Sequence, residues 1–209
     1  MTFLSCLTDQ DKVIVLDASV IINLLATGYA TEILNALKAS LVVTGHVVRE
    51  IERGATNGRQ ESTLLTELID ARFLQMKEIS GPSLEHFFSM VSGNTSDSLG
   101  DGEAATLAFA YSNGFSAAID EKKATRIAGE RFEVMKLVTT LDILAHEPVG
   151  TLLGRTALAS ATFQALRVAR MQVRPHQLEW VTQLIGEDNL TACPSLKRYA
   201  RRKMDHLSP

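Results

Sequence analysis

VIVLDASVIINLL, residues 13–25, is the stretch of this sequence that decides its fold class. Its first four residues are apolar and mostly β-branched, which predicts a short buried strand that ends at Asp17. The residues after Asp17 are typical of an amphipathic helix, for which Ser19 is a capping candidate. A strand followed directly by a helix is the building unit of an α/β fold, so we expect Asp17 at the carboxyl end of a strand.

The same unit recurs along the chain, because strand and helix patterns alternate four or five times. This alternation predicts an α/β fold with an open parallel sheet of four to five strands and helices on both faces. Additional C-terminal helices are expected to pack on the sheet or on a partner. Strands are predicted at 41–43, 72–79, 115–120 and 134–140, and helices at 30–38, 62–71, 101–114, 121–130, 155–170 and 176–185, with another helix around Val47 and Ile51.

Length and charge indicate one domain, at 1–190, followed by a basic C-terminal tail at 191–209. The chain has 209 residues with a net charge of -3. Because the tail is basic, the rest of the chain is more acidic than this net charge. No apolar run approaches the roughly 18–20 residues that cross a bilayer, and the start lacks a secretory signal. We therefore expect a cytoplasmic protein without a membrane partner. The tail carries Lys197, Arg198, Arg201, Arg202 and Lys203.

Several enzyme classes are excluded by missing motifs. The sequence has no GxxxxGKS/T phosphate loop, no GxGxxG after the first strand, no GxSxG nucleophile elbow and no HExxH. The five histidines are scattered without the spacing of metal ligands, and Cys6 and Cys193 stand near opposite ends. A zinc site and a disulfide framework are therefore not indicated.

Acidic residues remain as the candidates for chemistry. Asp17 and Asp120 each follow an apolar strand, at the sheet edge where α/β proteins bind ligands. Glu50 lies on a helix after the second strand, and Asp101 and Glu103 open another helix. Gathered carboxylates repel one another unless a cation compensates them, and oxygen ligands alone select Mg²⁺ or Mn²⁺. The alternatives are helix capping for Asp101 and Glu103 and a solvated surface position for Glu50.

These residues resemble the motifs of a PIN-domain nuclease over residues 13–150. The matching pieces are VIVLDASVIINLL, VVREIERG, LGDGEAATLAFA and AAIDEKKATRIA, in that order. The LGDGEA form and the later VTTLDIL are similar to toxins of the VapC-like type. The resemblance implies a PIN-like fold and a metal-dependent ribonuclease that hydrolyses RNA phosphodiester bonds as the toxin of a toxin–antitoxin pair. It also implies RNA as substrate, an antitoxin protein as partner and a homo-oligomer.

The resemblance also assigns roles to individual residues. Asp17, Glu50, Glu103 and Asp120 are the four catalytic acids, and Mg²⁺ or Mn²⁺ is held by Asp17, Glu103 and Asp120, with Asp101 as a further ligand or a helix cap. Ser19 and Thr140 supply hydroxyls beside the metal, and Arg126 is a candidate phosphate contact. A non-cleaving PIN-like scaffold that binds RNA or protein is the alternative. A phosphatase of another α/β fold is disfavoured, because Ser19 stands where its second Asp belongs.

Overall fold

The computed structural model describes residues 3–54, 60–92, 97–197 and Tyr199. A five-stranded parallel sheet lies at its centre, with the strand order β3-β2-β1-β4-β5. The prediction of an open parallel sheet flanked by helices is therefore confirmed. The strands are β1 (Val13–Leu16), β2 (Ser40–Thr44), β3 (Gln75–Lys77), β4 (Ser116–Ala118) and β5 (Leu137–Val138).

Helices connect and cover these strands. They are α1 (Ala18–Ala26), α2 (Ala30–Ala36), α3 (Gly45–Gly54), α4 (Glu61–Asp70), α5 (Pro82–Val91), α6 (Asp101–Asn113), α7 (Lys122–Arg131), α8 (Thr140–Leu144), α9 (Glu147–Val168) and α10 (Leu178–Ile185). Short 3₁₀ turns at 175–177, 187–192 and 194–196 complete the C-terminal part.

The strand order reverses between β1 and β4, and this reversal positions the acidic residues. From β1 the chain proceeds to β2 on one side and later returns to place β4 on the other side. Leu16 pairs with Ala118, so Asp17 and Asp120 leave neighbouring strands at the same edge. Such a reversal point is where open α/β sheets form their ligand-binding crevice.

Alternate residues of each central strand enter different cores, as expected for a sheet that is covered on both faces. Ile14 and Leu16 of β1 pack into a core with α1, α2 and α9. Val15 and Ala117 face the opposite core, which α5, α6 and α7 cover. Val15 and Leu16 are both fully buried, and their burial anchors the strand that ends at Asp17.

Several element boundaries differ from the prediction. The strands predicted at 72–79 and 134–140 pair only over Gln75–Lys77 and Leu137–Val138, because these are the edges of the sheet. Helix α9 begins at Glu147, before the predicted 155–170, and Gly154 interrupts it at a φ of 72°. Helices α5 and α8 were not predicted from the sequence.

The C-terminal segment joins the packed domain beyond residue 190. Cys193 is fully buried and Leu196 is nearly so, and both belong to the core that contains β1. Cys6 and Cys193 are free cysteines, the first exposed and the second buried. Most of the basic tail, including Arg198, lies outside the described residues. No helix within the described ranges has the length and apolar character needed to cross a membrane.

Candidate acidic active site

Asp17 lies at the end of β1 and caps the N-terminus of α1. Its Oδ2 accepts hydrogen bonds from the backbone N–H of Ser19 at 3.2 Å and from the Ser19 hydroxyl at 2.6 Å. Its Oδ1 is buried and has no hydrogen bond of good geometry in the described part of the chain, although the backbone N–H of Ala18 lies near the carboxylate and favours its charged form. Burial raises the pKa of Asp17 above its ordinary value, and the negative charge of Glu121 acts in the same direction. A buried carboxylate oxygen without a donor is costly, so it indicates a missing ligand or proton.

Asp120 is held by three donors behind the edge of β4. Its Oδ1 accepts from the Thr140 backbone N–H at 2.9 Å, and its Oδ2 accepts from the Thr140 hydroxyl at 2.5 Å. The side-chain amide of Asn23 donates to the same Oδ2 at 2.7 Å and also contacts Thr140. Burial nevertheless raises the pKa of Asp120, with Asp17 as a further cause. These donors fix the orientation of the Asp120 carboxylate.

Asn23 is a site residue that the sequence analysis missed. It is buried on α1 and joins Asp120 to Thr140. A signal was present, because Asn23 is the lone polar residue in the run VIINLL. A buried amide in such a run needs a partner, and the partner here is far away in sequence.

Glu103 lies in the first turn of α6 and turns back toward the start of that helix. Its Oε2 accepts from the backbone N–H of Gly100 at 3.2 Å. Burial is the main cause that raises its pKa to about 7, and the charges of Asp17, Glu121 and Glu50 add to the shift. Helix capping was an alternative for both Asp101 and Glu103, and Glu103 makes the capping contact. Asp101 is exposed at the first position of the helix.

Glu50 approaches the same helix from α3. Thr44 supports the start of α3 by accepting a hydrogen bond from the Val47 N–H at 3.3 Å. The Glu50 carboxylate accepts a hydrogen bond from the Gly102 N–H, and the loss of surrounding water raises its pKa. The charges of Asp17 and Asp101 raise this pKa further.

The structure thus brings the predicted acids to one edge of the sheet. Electrostatic coupling joins Asp17 to Glu50, to Glu103 and to Asp120. Glu121 is a fifth acid in this group, since its charge raises the pKa of both Asp17 and Glu103. Glu121 was not among the candidate residues predicted from the sequence. It joins the group because it lies directly after Asp120, at the N-cap of α7.

The remaining predicted residues divide into two groups. Ser19 and Thr140 contact Asp17 and Asp120 directly, which is the placement expected of hydroxyls that orient carboxylates. Arg126 lies on the exposed face of α7, where its guanidinium pairs with Glu130 at 2.9 Å and with Asp97 at 3.5 Å. A phosphate contact by Arg126 therefore stays a prediction.

Comparison with known proteins agrees with this geometry. A family model described as a PIN domain matches residues 13–187, which span the sheet and the acidic group. The chain belongs to the PIN-domain family. PIN domains are in general metal-dependent nucleases, so membership indicates a nuclease. No curated protein and no solved structure gives a significant match to this PIN domain.

The acidic group of this PIN domain suits a hard divalent cation in its chemistry. All candidate ligands are carboxylate oxygens, and the buried Oδ1 of Asp17 lacks a donor within the described residues. Three His, Cys, Asp or Glu side chains do not meet around one point in the part of the chain that the structure describes. Glu103 and Glu50 each accept a hydrogen bond from a nearby backbone N–H.

Proposed function

We propose that this PIN domain is a Mg²⁺- or Mn²⁺-dependent endoribonuclease that hydrolyses RNA phosphodiester bonds. The observation that carries the proposal is the buried Oδ1 of Asp17, which has no donor among the described residues although other carboxylates surround it. Charges of one sign that are gathered around an unsatisfied oxygen favour a cation. Asp17, Glu103 and Asp120 would hold the metal, with Asp101 as a further ligand.

Each side chain of the acidic site has a distinct part in this proposal. Bound Mg²⁺ or Mn²⁺ would supply a water of lowered pKa and neutralise charge on the scissile phosphate. Thr140 and Asn23 hold the Asp120 carboxylate in one orientation, and Ser19 does the same for Asp17. Glu50 is the fourth catalytic acid and faces solvent, where it can accept a proton from an attacking water.

A polyanionic substrate needs local positive charge, because the chain has a net charge of -3. A cavity of about 190 Å³ beside Glu50 is lined by His46, Arg49 and Arg53. Burial lowers the pKa of His46 and favours its neutral form, whereas the guanidinium groups of Arg49 and Arg53 are cations beside the acids and can contact the phosphates of an RNA strand. They support the choice of a nucleic acid over a neutral substrate.

We further propose that the protein is a cytoplasmic homo-oligomer and the toxin of a toxin–antitoxin pair. The support is the similarity of LGDGEA and VTTLDIL to VapC-like toxins. Co-expression with the product of a neighbouring small reading frame tests this role. An antitoxin should relieve growth arrest caused by the wild type and should co-purify with it. Growth that is unaffected by induction of the wild type would contradict the toxin role.

A non-cleaving PIN-like scaffold that binds RNA or protein is the second candidate. It is favoured by the hydrogen bonds of Glu103 to Gly100 and of Glu50 to Gly102, which satisfy these acids without a metal. Cleavage by the purified protein separates the two candidates.

The decisive experiment is an RNA cleavage assay with purified wild type in Mg²⁺, in Mn²⁺ and in EDTA, beside the Asp17→Asn variant. The proposal expects cleavage by the wild type in either metal and none in EDTA or with Asp17→Asn. RNA that binds but remains intact in both metals would favour the scaffold. Equal cleavage by Asp17→Asn would contradict the proposed site.

A further inference from the structure

Arg174 lies against the back of the acidic group. Its Nη2 is 3.5 Å from the backbone carbonyl oxygen of Asp120 and donates to the Thr125 hydroxyl at 2.8 Å. Arg174 is half-buried, and no carboxylate lies within ion-pair distance of it among the described residues. A guanidinium has donors for several acceptors and binds phosphate with two parallel hydrogen bonds. Arg174 therefore has unused capacity for an anion next to Asp120.

A buried side chain fixes Arg174 at this position. The fully buried Gln177 accepts from the Arg174 backbone N–H at 2.9 Å and donates to the Thr139 hydroxyl at 2.9 Å. Thr139 in turn donates to Asp142 at 2.6 Å and caps α8. This chain of hydrogen bonds ties Arg174 to the helix that also presents Thr140. Arg174 is thus held by the same framework that holds Asp120.

A cavity of about 500 Å³ opens beside Arg174, within the usual range of small-molecule sites, about 300–1,000 Å³. Its walls are mainly apolar and include Phe3, Val138 and His176. The rings of Phe3 and His176 lie 5.7 Å apart. Asp142 also lines the cavity, but its oxygens accept from Thr139 and from the Cys6 N–H. The guanidinium of Arg174 and the aromatic rings that line the same cavity match a phosphate joined to a base.

We infer that this cavity binds one nucleotide of the RNA strand next to the scissile phosphate. Arg174 binds the phosphate of that nucleotide, and His176 stacks on its base, since base stacking on aromatic rings is tolerant of sequence. The inference rests on the proposed function, because the RNA strand must also reach the acids. It makes Arg174 a substrate-binding residue and gives the strand a second contact, on the β5 side of the acidic group.

The test compares RNA binding by full-length variants, each carrying Asp17→Asn to prevent cleavage. Arg174→Gln should weaken binding of a short single-stranded RNA about tenfold, the loss of one charge-assisted hydrogen-bond pair. The slope of log affinity against log salt should become shallower by about 0.7, the value for one phosphate contact on a single strand. Arg174→Lys should keep the wild-type salt slope because the charge remains, but should lose part of the affinity because an ammonium cannot form the two parallel hydrogen bonds. Arg155→Gln is the matched control, because Arg155 also donates to a backbone carbonyl, that of Gln183, outside this cavity.

His176→Ala tests the base separately, because it leaves the guanidinium in place. We expect weaker binding with an unchanged salt slope. The protein that keeps His176 should bind an RNA that lacks the base beside the mapped cleavage position more weakly than the intact RNA. The His176→Ala variant should bind both RNAs equally well. Thermal unfolding of every variant reports on the fold, and His176→Ala provides the answer if Arg174→Gln unfolds.

The two proposals fail in different ways. Cleavage by the wild type together with unchanged binding and salt slope in Arg174→Gln would overturn the nucleotide site and leave the ribonuclease proposal intact. No binding and no cleavage of RNA by the wild type would overturn both. An equal loss of affinity in Arg155→Gln would also overturn the nucleotide site, because the weaker binding would then follow from the loss of any positive charge on the protein.

Discussion

The Cα of Gly102 faces the Glu50 carboxylate so closely that a methyl group at this position would overlap Oε2. The Gly102 N–H donates to the same carboxylate. The glycine of the LGDGEA motif therefore serves an acid that lies about fifty residues earlier in the chain, on α3.

Gly102→Ala should displace Glu50 and reduce RNA cleavage, because the added methyl group and the carboxylate cannot share the same space. We expect at least a tenfold loss in cleavage rate, which corresponds to about 1.4 kcal/mol. Gly129→Ala is the matched control, since Gly129 lies inside α7 with open space around its Cα. That change should keep activity and stabilise the helix by about 0.5–1 kcal/mol. Full activity of Gly102→Ala would show that Glu50 is dispensable.

Asp17→Asn and Asp120→Asn should both abolish cleavage but differ in stability. Asp17 has an oxygen without a donor in the described chain, so its neutralisation relieves repulsion and stabilises the metal-free protein. Asp120 accepts from Thr140 and Asn23, so an amide at this position turns a donor toward donors and costs about 1–3 kcal/mol. Chemical denaturation in EDTA measures the difference. Equal stability of the two variants would argue against the hydrogen bonds described for Asp120.

Glu103→Gln should reduce cleavage more than Asp101→Asn, because Glu103 is coupled to Asp17 whereas Asp101 is exposed. Asp101→Asn should change stability little, since the capping contact belongs to Glu103. Cleavage rates and unfolding free energies of the two variants, measured side by side, check both statements. An inactive Asp101→Asn protein with an active Glu103→Gln protein would reverse the assignment of the third acid.

The stability that Glu103 contributes to the metal-free protein should fall as the pH rises from about 4.5 to about 7. The pKa of Glu103 rises from 4.5 to about 7 on folding, so the folded state binds more protons than the unfolded state in this window. This contribution is therefore greatest at the acidic end and is lost as Glu103 ionises, while His46 and His146, whose pKa values are lowered by burial, act in the opposite direction. Glu103→Gln should flatten the dependence in part, because Asp17 and Asp120 shift in the same direction. Melting curves in EDTA across this range measure the effect, and parallel curves for both proteins would contradict it.

Asn23→Ala should lower the turnover rate with little change in KM, because Asn23 positions Asp120 and does not face the substrate. Loss of the buried hydrogen bond should also cost about 1 kcal/mol of stability. Thr162→Val is the control, since Thr162 is buried on α9 with an unpartnered hydroxyl in the described structure. Steady-state kinetics separate the two constants. A rise in KM alone would indicate that Asn23 contacts RNA instead.

Much of the site was predictable because the signals are local. Asp17 follows β1 directly and Asp120 follows β4 after one residue, so the ends of two apolar runs locate both acids. The parallel arrangement then brings those ends together. Glu50 and Glu103 could be placed on helices that begin near the same edge.

What escaped prediction depends on contacts between distant parts of the chain. The role of Asn23 requires a partner 97 residues away, and no periodicity reveals it. Glu121 was not a predicted candidate, and its effect on the pKa of Asp17 follows from its place at the N-cap of α7 in the folded chain. Helix α5 packs on α6 through residues such as Phe87 and Met90, whose burial depends on the folded core.

The strand order determines when the partners of the first two acids are synthesised. The ribosome releases β1, β2 and β3 before β4. However, the N–H of Asp17 donates to the Ala118 carbonyl, and the Asn23 amide donates to Asp120, so both need residues that are made later. A nascent chain therefore exposes its first two acids while their partners are still unmade. The acidic group cannot be complete before β4 lies beside β1 and Thr140 contacts Asp120. An mRNA that is truncated before the codons for β4 would yield a fragment without a complete acidic group.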